Sequence, residues 1–296
     1  MITVIGTVYI DIKGFPLGHF VPTGRNAGEV KQFFGGVGRN VAEDVAALGE
    51  AVNFVGLTDM SAVGKEVVAH LRSHGVETQY MQATPAGMGT WLAVFDEAGE
   101  VCANVSQRPQ LFPICDILKR KGREIFAASQ SILLEADIDE EIVRMVFELA
   151  EEYEKPVYSV ISNMVIARER LPYICRSACF VCNRQEAGIL FGRDMERITA
   201  EELQAVLPAE MKRSGIRSMV VTMDSDGAVF AGADGECGFC PAKRVKVVNT
   251  TGAGDAFFAG LATGLTRGQE MAAACELGRA AATAVIGTEE NVLKVQ

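Results

Sequence analysis

Short apolar runs and helix-patterned segments alternate along nearly the whole chain, and this alternation limits the fold more than any single motif does. ITVIG is followed by RNVAEDVAALG, whose apolar residues recur at helical spacing; VNFVG is followed by VGKEVVAHLRSHG, a helix closed by a glycine. Further on, SILLE precedes DEEIVRMVFELAEEY, PVYSV precedes a short helix, CFVCN precedes RQEAGILFG, and the helix ITAEELQAVLPAEMKRSG precedes RSMVVTM. Strands that return through a helix pair in parallel, so the pattern predicts an α/β fold with a mostly parallel sheet covered by helices on both faces. At 296 residues, 49% of them hydrophobic, the chain can fill such a core as one domain, 1–296.

Two segments interrupt the rhythm. Residues 13–32 are rich in Gly, Pro and polar residues, and residues 86–105 carry two alternating runs around Asp96-Glu97-Ala98-Gly99, a hairpin signal. Both leave the same edge of a parallel sheet, so they are expected to form a small β lid over its ligand-binding end. A small exposed sheet bearing Trp91, Leu92, Val94 and Phe95 invites burial against a second copy, which predicts a homodimer through the lid.

Charge excludes one class of partner. Lys plus Arg number 28 against 38 Asp plus Glu, a net charge of -10, and no basic block stands apart from the acidic residues, so nucleic acid is not expected as a partner. The opening MITVIGTVYIDIKG has no basic leader region, and its apolar run is broken by Asp11. No window reaches the roughly 20 apolar residues of a membrane span. A cytoplasmic protein with no membrane partner is expected.

Cys179-Phe-Val-Cys182 and Cys237-Gly-Phe-Cys240 are CxxC pairs, but they stand much farther apart than the ~15–20 residues of a zinc ribbon. Positions i and i+3 of a strand also face opposite sides, so Cys179 and Cys182 would not converge on one metal. His70 and His74 share a helix face, but the segment lacks the Glu of HExxH, and their place in the last turn suits cations at the negative helix end.

The stretch NTTGAGDAFFAG carries the chemistry. It lies between the strand-like RVKVV and a helical run, so the N–H groups around Gly252, Ala253 and Gly254 can face an anion at a helix start. Asp255 stands at the same helix start, whose positive end is expected to hold it ionised. A substrate hydroxyl between Asp255 and a nucleotide γ-phosphate would lose its proton to the carboxylate while the loop stabilises the transferred group. Taken alone, the segment reads equally as a capped helix after a glycine turn. The other nucleotide signatures fail: no GxxxxGK[ST] is present, and GGVGRNVA lacks the third glycine of GxGxxG.

Five segments together, GTVYID, GGVGRNVAEDVAALG, NRQEAGILFG, VVTMDSDGA and NTTGAGDAFFAG, resemble in order the ribokinase-type (PfkB) family of carbohydrate and nucleoside kinases. The resemblance implies a ribokinase-like fold and an ATP-dependent phosphotransferase with an alcohol acceptor. It implies Asp255 as catalytic base, with Gly252, Ala253 and Gly254 as its anion hole. It further implies Asp11, Gly36 and Asn40 as binders of substrate hydroxyls. A glycine there would let the sugar approach closely. Asn183, Thr222 and Gly227 are implied beside the ATP phosphates, and Glu186 as the residue that orders Mg2+.

Within the family, GEVKQFFGGVGRN and Asn249 resemble pseudouridine kinases most. A ribokinase- or fructokinase-like sugar kinase, and a homologue that binds without turnover, are the alternatives. Ser106-Gln107 replaces an Asn-Asp pair in the lid, and PVYSVISN lacks an Asp-Pro. Asn249 replaces an acidic residue, which weakens the case for a K+ site. Asp224 stands where glycine is typical and is expected to face the ATP phosphates and repel them.

Overall fold

The computed structural model describes residues 1–97, 100–162, 166 and 168–294. Nine strands form the main sheet in the order Cys237–Pro241, Gly227–Ala231, Met219–Thr222, Cys179–Asn183, Val157–Val160, Ser131–Glu135, Ile2–Ile5, Val52–Val55, Val76–Glu77. Met219–Thr222 and the strands beyond it to Val76–Glu77 run parallel; the two at the other edge are antiparallel. The central strands Ile2–Ile5 and Ser131–Glu135 are buried along their whole length, as strands covered on both faces must be.

Apolar side chains pack on both faces. One core holds Ile5, Leu134 and Val221 under the helices Pro113–Ala128, Glu140–Glu152 and Ala200–Ser214. The other holds Val4, Leu133 and Val220 under Val37–Ala47, Ala62–Ser73, Ala253–Thr266 and Met271–Ile286. Cys179 and Cys182 fall into different cores, as alternation along a strand requires.

The helix Val37–Ala47 reaches the sheet only because two glycines let it. A Cβ at Gly38 would lie 2.6 Å from the Gly6 Cα, so Val37–Ala47 can start directly on the end of the first strand. Gly36, in the left-handed region at φ 97°, would place a Cβ 2.6 Å from Thr7 O. The glycine is therefore required by the backbone crossing.

A separate four-stranded sheet, ordered Gly28–Gly35, Tyr9–Pro16, Gly89–Phe95, Val101–Gln107, stands at the end of the molecule where the parallel strands finish. Its strands begin at Tyr9, soon after the main-sheet strand Ile2–Ile5, and end at Gln107, outside the expected 13–32 and 86–105. Ala98 and Gly99 of the expected hairpin turn lie outside the described residues. Register pairs Phe33 with Asp11, Asp11 with Trp91, and Trp91 with Ser106, one row across one face. The next row, Gln32, Ile12, Leu92 and Val105, faces the other way.

RVKVV does not form the strand its pattern predicts. Residues 242–247 have no regular structure, and Val245, Val247 and Val248 are exposed, because the chain has already passed the edge of the sheet and finds no partner strand.

Candidate active site

A cleft of about 730 Å³ opens between the C-terminal strand ends and the small sheet. Asp11, Gly36, Asn40 and Asp255 line it together, although they lie up to 244 positions apart in the chain. Such a site at the carboxyl ends of parallel strands is where α/β sheets bind their ligands.

Asp255 sits in the first turn of the helix Ala253–Thr266, whose cap Gly252 is left-handed at φ 83°. A Cβ at Gly252 would lie 2.0 Å from Asn291 O, so only glycine fits. Ala253 N–H closes the turn onto Thr250 O at 3.3 Å. The amides of Gly254 and Asp255 begin the helix without intrahelical acceptors, and the space a Cβ would take at Gly254 is open. Asn249 braces the loop: its Oδ1 accepts from Thr251 N at 3.0 Å, and its Nδ2 donates to Glu289 O at 3.3 Å.

Burial outweighs the helix end at Asp255. Desolvation pushes its carboxyl up to about 6, and nearby Asp11 and Asp137 add to the rise, whereas Asn40 and Arg39 oppose it. At about 6 the group is still mostly ionised at neutral pH, though well above the ordinary carboxylate value. Asn40 Nδ2 donates to Asp255 Oδ2 at 2.6 Å. Asn40 is held in turn by Arg39, whose guanidinium contacts its Oδ1 and pairs with Glu43 at 2.9 Å. Arg39 is 1% exposed and Glu43 fully buried.

His70 Nε2 meets the other Glu43 oxygen at 3.1 Å, and His74 joins the group with ligand atoms within 4.8 Å. The pair therefore serves more than the helix end. Glu43 is already shared between Arg39 and His70, and its carboxyl is held low even though burial, its largest influence, pushes upward.

Sequence reasoning missed the acidic residues on the neighbouring strand end. Glu135 accepts from Thr7 N at 2.8 Å, from Thr7 Oγ1 at 2.9 Å and from Gly38 N at 3.1 Å, tying the first strand to the first long helix. Asp137 accepts from Ser162 Oγ at 2.9 Å. Burial raises both carboxyls. The one signal in the sequence was a charge closing the apolar run SILLE. Tyr9, Trp91, Ser106 and Arg108 also line the cleft.

Asn183, Glu186, Thr222 and Gly227 do not line this cleft; they lie at the ends of strands farther along the sheet. Asn183 and Glu186 form a reciprocal cap on the helix Arg184–Phe191: Glu186 N donates to Asn183 Oδ1 at 2.9 Å, and Asn183 N to Glu186 Oε2 at 2.8 Å. Burial pushes Glu186 up to about 7, and Asp137 adds to the rise. Thr222 Oγ1 donates to Cys182 O at 3.4 Å. Gly227 at φ 120° lets the hairpin close, since a Cβ there would meet Cys240 O at 2.2 Å.

Asp224 departs from expectation. Its side chain is 85% exposed and pairs with Arg184 at 3.2 Å, while Asp226 pairs with the same guanidinium at 3.0 Å. Its left-handed φ of 51° accounts for glycine being usual at such a position.

Comparison with known proteins agrees with this architecture. The family of pfkB carbohydrate kinases matches residues 1–293, and the chain belongs to it. It is a phosphotransferase with an alcohol group as acceptor, in a fold whose members use ATP. It is 30% identical to the guanosine-inosine kinase of Exiguobacterium acetylicum, covering 99% of this chain and 96% of that one. It is 25% identical to the pseudouridine kinase of Escherichia coli, covering 97% and 91%. The ribokinase-like fold is shared with the ribokinase of Arabidopsis thaliana, solved with ribose and ATP, at a TM-score of 0.83, 19% identity, and coverage of 97% and 93%. The ribokinase of Giardia lamblia gives a TM-score of 0.84 at 17% identity, with coverage of 98% and 95%. Among the described residues no helix is long and apolar enough to cross a membrane.

Proposed function

We propose that this kinase transfers the γ-phosphate of ATP to a hydroxyl of a ribose-containing nucleoside, with Asp255 as general base. The observation that carries the reading is the 2.6 Å bond from Asn40 to Asp255 on the cleft wall. A carboxylate oriented by that bond and raised to about 6 is matched to taking a proton near neutral pH. The acceptor hydroxyl gives its proton to Asp255 as its oxygen bonds to the γ-phosphorus. The bond from phosphorus to the β,γ-bridging oxygen breaks, and its electron pair leaves with ADP. The turn of Gly252, Ala253 and Gly254 presents helix-start amides to the group in transfer.

Asp11 accepts from the sugar hydroxyls, Gly36 shapes the wall beside them, and Asn40 orients the base. Asn183, Thr222 and Gly227 border the phosphates. Asp137 adds to the rise of both Glu135 and Glu186, and all three are hard oxygen donors, a set that would fit Mg2+, which would supply charge neutralisation on the phosphates. We place Glu186 nearest to it. Asn249 has both side-chain atoms engaged in its loop, so we assign no K+ site to it.

The small sheet serves as a lid, and its exposed Leu92 and Val105, with Val30 75% exposed on the same face, support a homodimer through that face. The likeness to guanosine-inosine and pseudouridine kinases supports reading purine nucleosides as well as pseudouridine as acceptors. Tyr9 and Trp91 offer ring faces to a base. ADP formation measured with guanosine, inosine, pseudouridine, ribose and fructose tests the reading. A nucleoside should exceed both free sugars in kcat/KM. ADP formed only with ribose or fructose would make this a sugar kinase. Binding of a nucleoside without ADP formation would make it a non-catalytic homologue.

A further inference from the structure

Lys13 is a buried cation that the site as described does not use. It lies two residues after Asp11 on the strand Tyr9–Pro16, so its side chain shares the face that carries Asp11, Trp91 and Ser106 to the cleft. It is 7% exposed. Its Nζ stands 5.1 Å from the Phe33 ring centroid and 5.9 Å from that of Trp91. From there it donates to Thr251 Oγ1 at 3.3 Å, across 238 positions of sequence, beside the turn that starts at Gly252.

An ammonium has three N–H donors. Among the described residues Thr251 Oγ1 is the one acceptor Nζ reaches, and no carboxylate lies within ion-pair distance. Asp11 acts on it only through space, opposing the burial that lowers the ammonium's pKa. Two aromatic faces offset part of the cost of burying this charge, but the remaining donors call for an anion. Arg39, the other buried cation near Asp255, is committed to Glu43.

We propose that Lys13 is a catalytic residue whose ammonium contacts the oxygens of the phosphoryl group in transfer. The inference rests on the reading of the cleft as a phosphoryl-transfer site. As the acceptor oxygen bonds to phosphorus and the bond to ADP breaks, charge spreads over the three equatorial oxygens. The amides of the GAG turn contribute partial charges there, and Lys13 contributes a full one. Because the ammonium is set in place by the lid strand, the site is complete only with that strand in position.

Lys13→Met keeps the length and most of the volume of the side chain. Its kcat should fall by roughly 10²–10³-fold, the span for removing one donor from a developing oxyanion. KM for ATP and for the acceptor should change less than about threefold. The melting temperature should be equal to or above that of the wild type, because a buried charge without a paired counter-ion has been removed. A kcat within threefold of the wild type overturns the assignment. So does a lowered melting temperature with kcat retained, which would make Lys13 a structural tether to Thr251. Calorimetric titration with ADP alone and with ADP plus aluminium fluoride, a planar mimic of the group in transfer, reads the same contact without turnover. The wild type should bind the second more tightly, and Lys13→Met should lose that gain. If no acceptor is phosphorylated, the functional reading fails separately, and the titration still decides Lys13: equal gain in both proteins, or none in the wild type, refutes it.

Discussion

Asp255→Asn should stabilise the protein while nearly abolishing turnover, and the stability gain should depend on pH. A rise from 3.8 to about 6 on folding corresponds to about 3 kcal/mol at ~1.36 kcal/mol per pH unit. Because the carboxylate is only half-buried at the cleft wall, about 2 kcal/mol is the expected effect after solvent screening. The sign follows from linkage: the folded state binds the proton more tightly than the unfolded chain, so ionisation destabilises it. The penalty is absent below about pH 4 and full above about pH 6. Asparagine lacks the charge and can still accept from Asn40. At pH 8 the variant should therefore melt roughly 4 °C above the wild type, and at about pH 3.5, below the unfolded pKa, the two should nearly coincide. Its turnover should fall by ~10²–10⁴-fold with nucleoside affinity kept. Calorimetric melting at both pH values, with initial rates at pH 8, measures all three quantities. A melting difference of the same size at both pH values, or a rate within tenfold of the wild type, would refute the reasoning.

The wild-type kcat/KM should rise with pH through an apparent value near 6, and Asn40→Ala should move that limb to higher pH, since it removes a bond that lowers the Asp255 pKa; pH-rate profiles of both proteins check this. Glu186→Gln preserves the cap on Arg184–Phe191, so folding should be unaffected, while the Mg2+ concentration for half-maximal rate should rise about tenfold, as a metal titration would show. Asp224→Gly should leave KM for ATP within about twofold, because Arg184 already compensates the carboxylate on an exposed surface; an ATP titration that tightens tenfold would instead place the charge on the phosphates. Leu92→Asp should yield a monomer in sedimentation at micromolar concentration, where the wild type is expected to sediment as a dimer.

The alternation of ITVIG, RNVAEDVAALG and their successors was enough to specify the parallel sheet and its two helical layers, because period 2 and period 3.6 are local consequences of burial. RVKVV shows the limit of that rule: its composition suits a strand, but strand formation needs a neighbour, and the sheet ends before it. NTTGAGD likewise announced a tight, glycine-dependent helix start, and φ 83° at Gly252 follows from that local chemistry. What the sequence could not supply was the company its charges keep. The Asp255 pKa is decided by desolvation and by Asn40, Asp11 and Asp137, which arrive from other strands and helices. Asp224 pairs with Arg184, and Lys13 reaches Thr251 from the far end of the chain. Periodicity is written in neighbouring residues, whereas electrostatic environment depends on which distant groups exclude water together, and only the tertiary structure decides that.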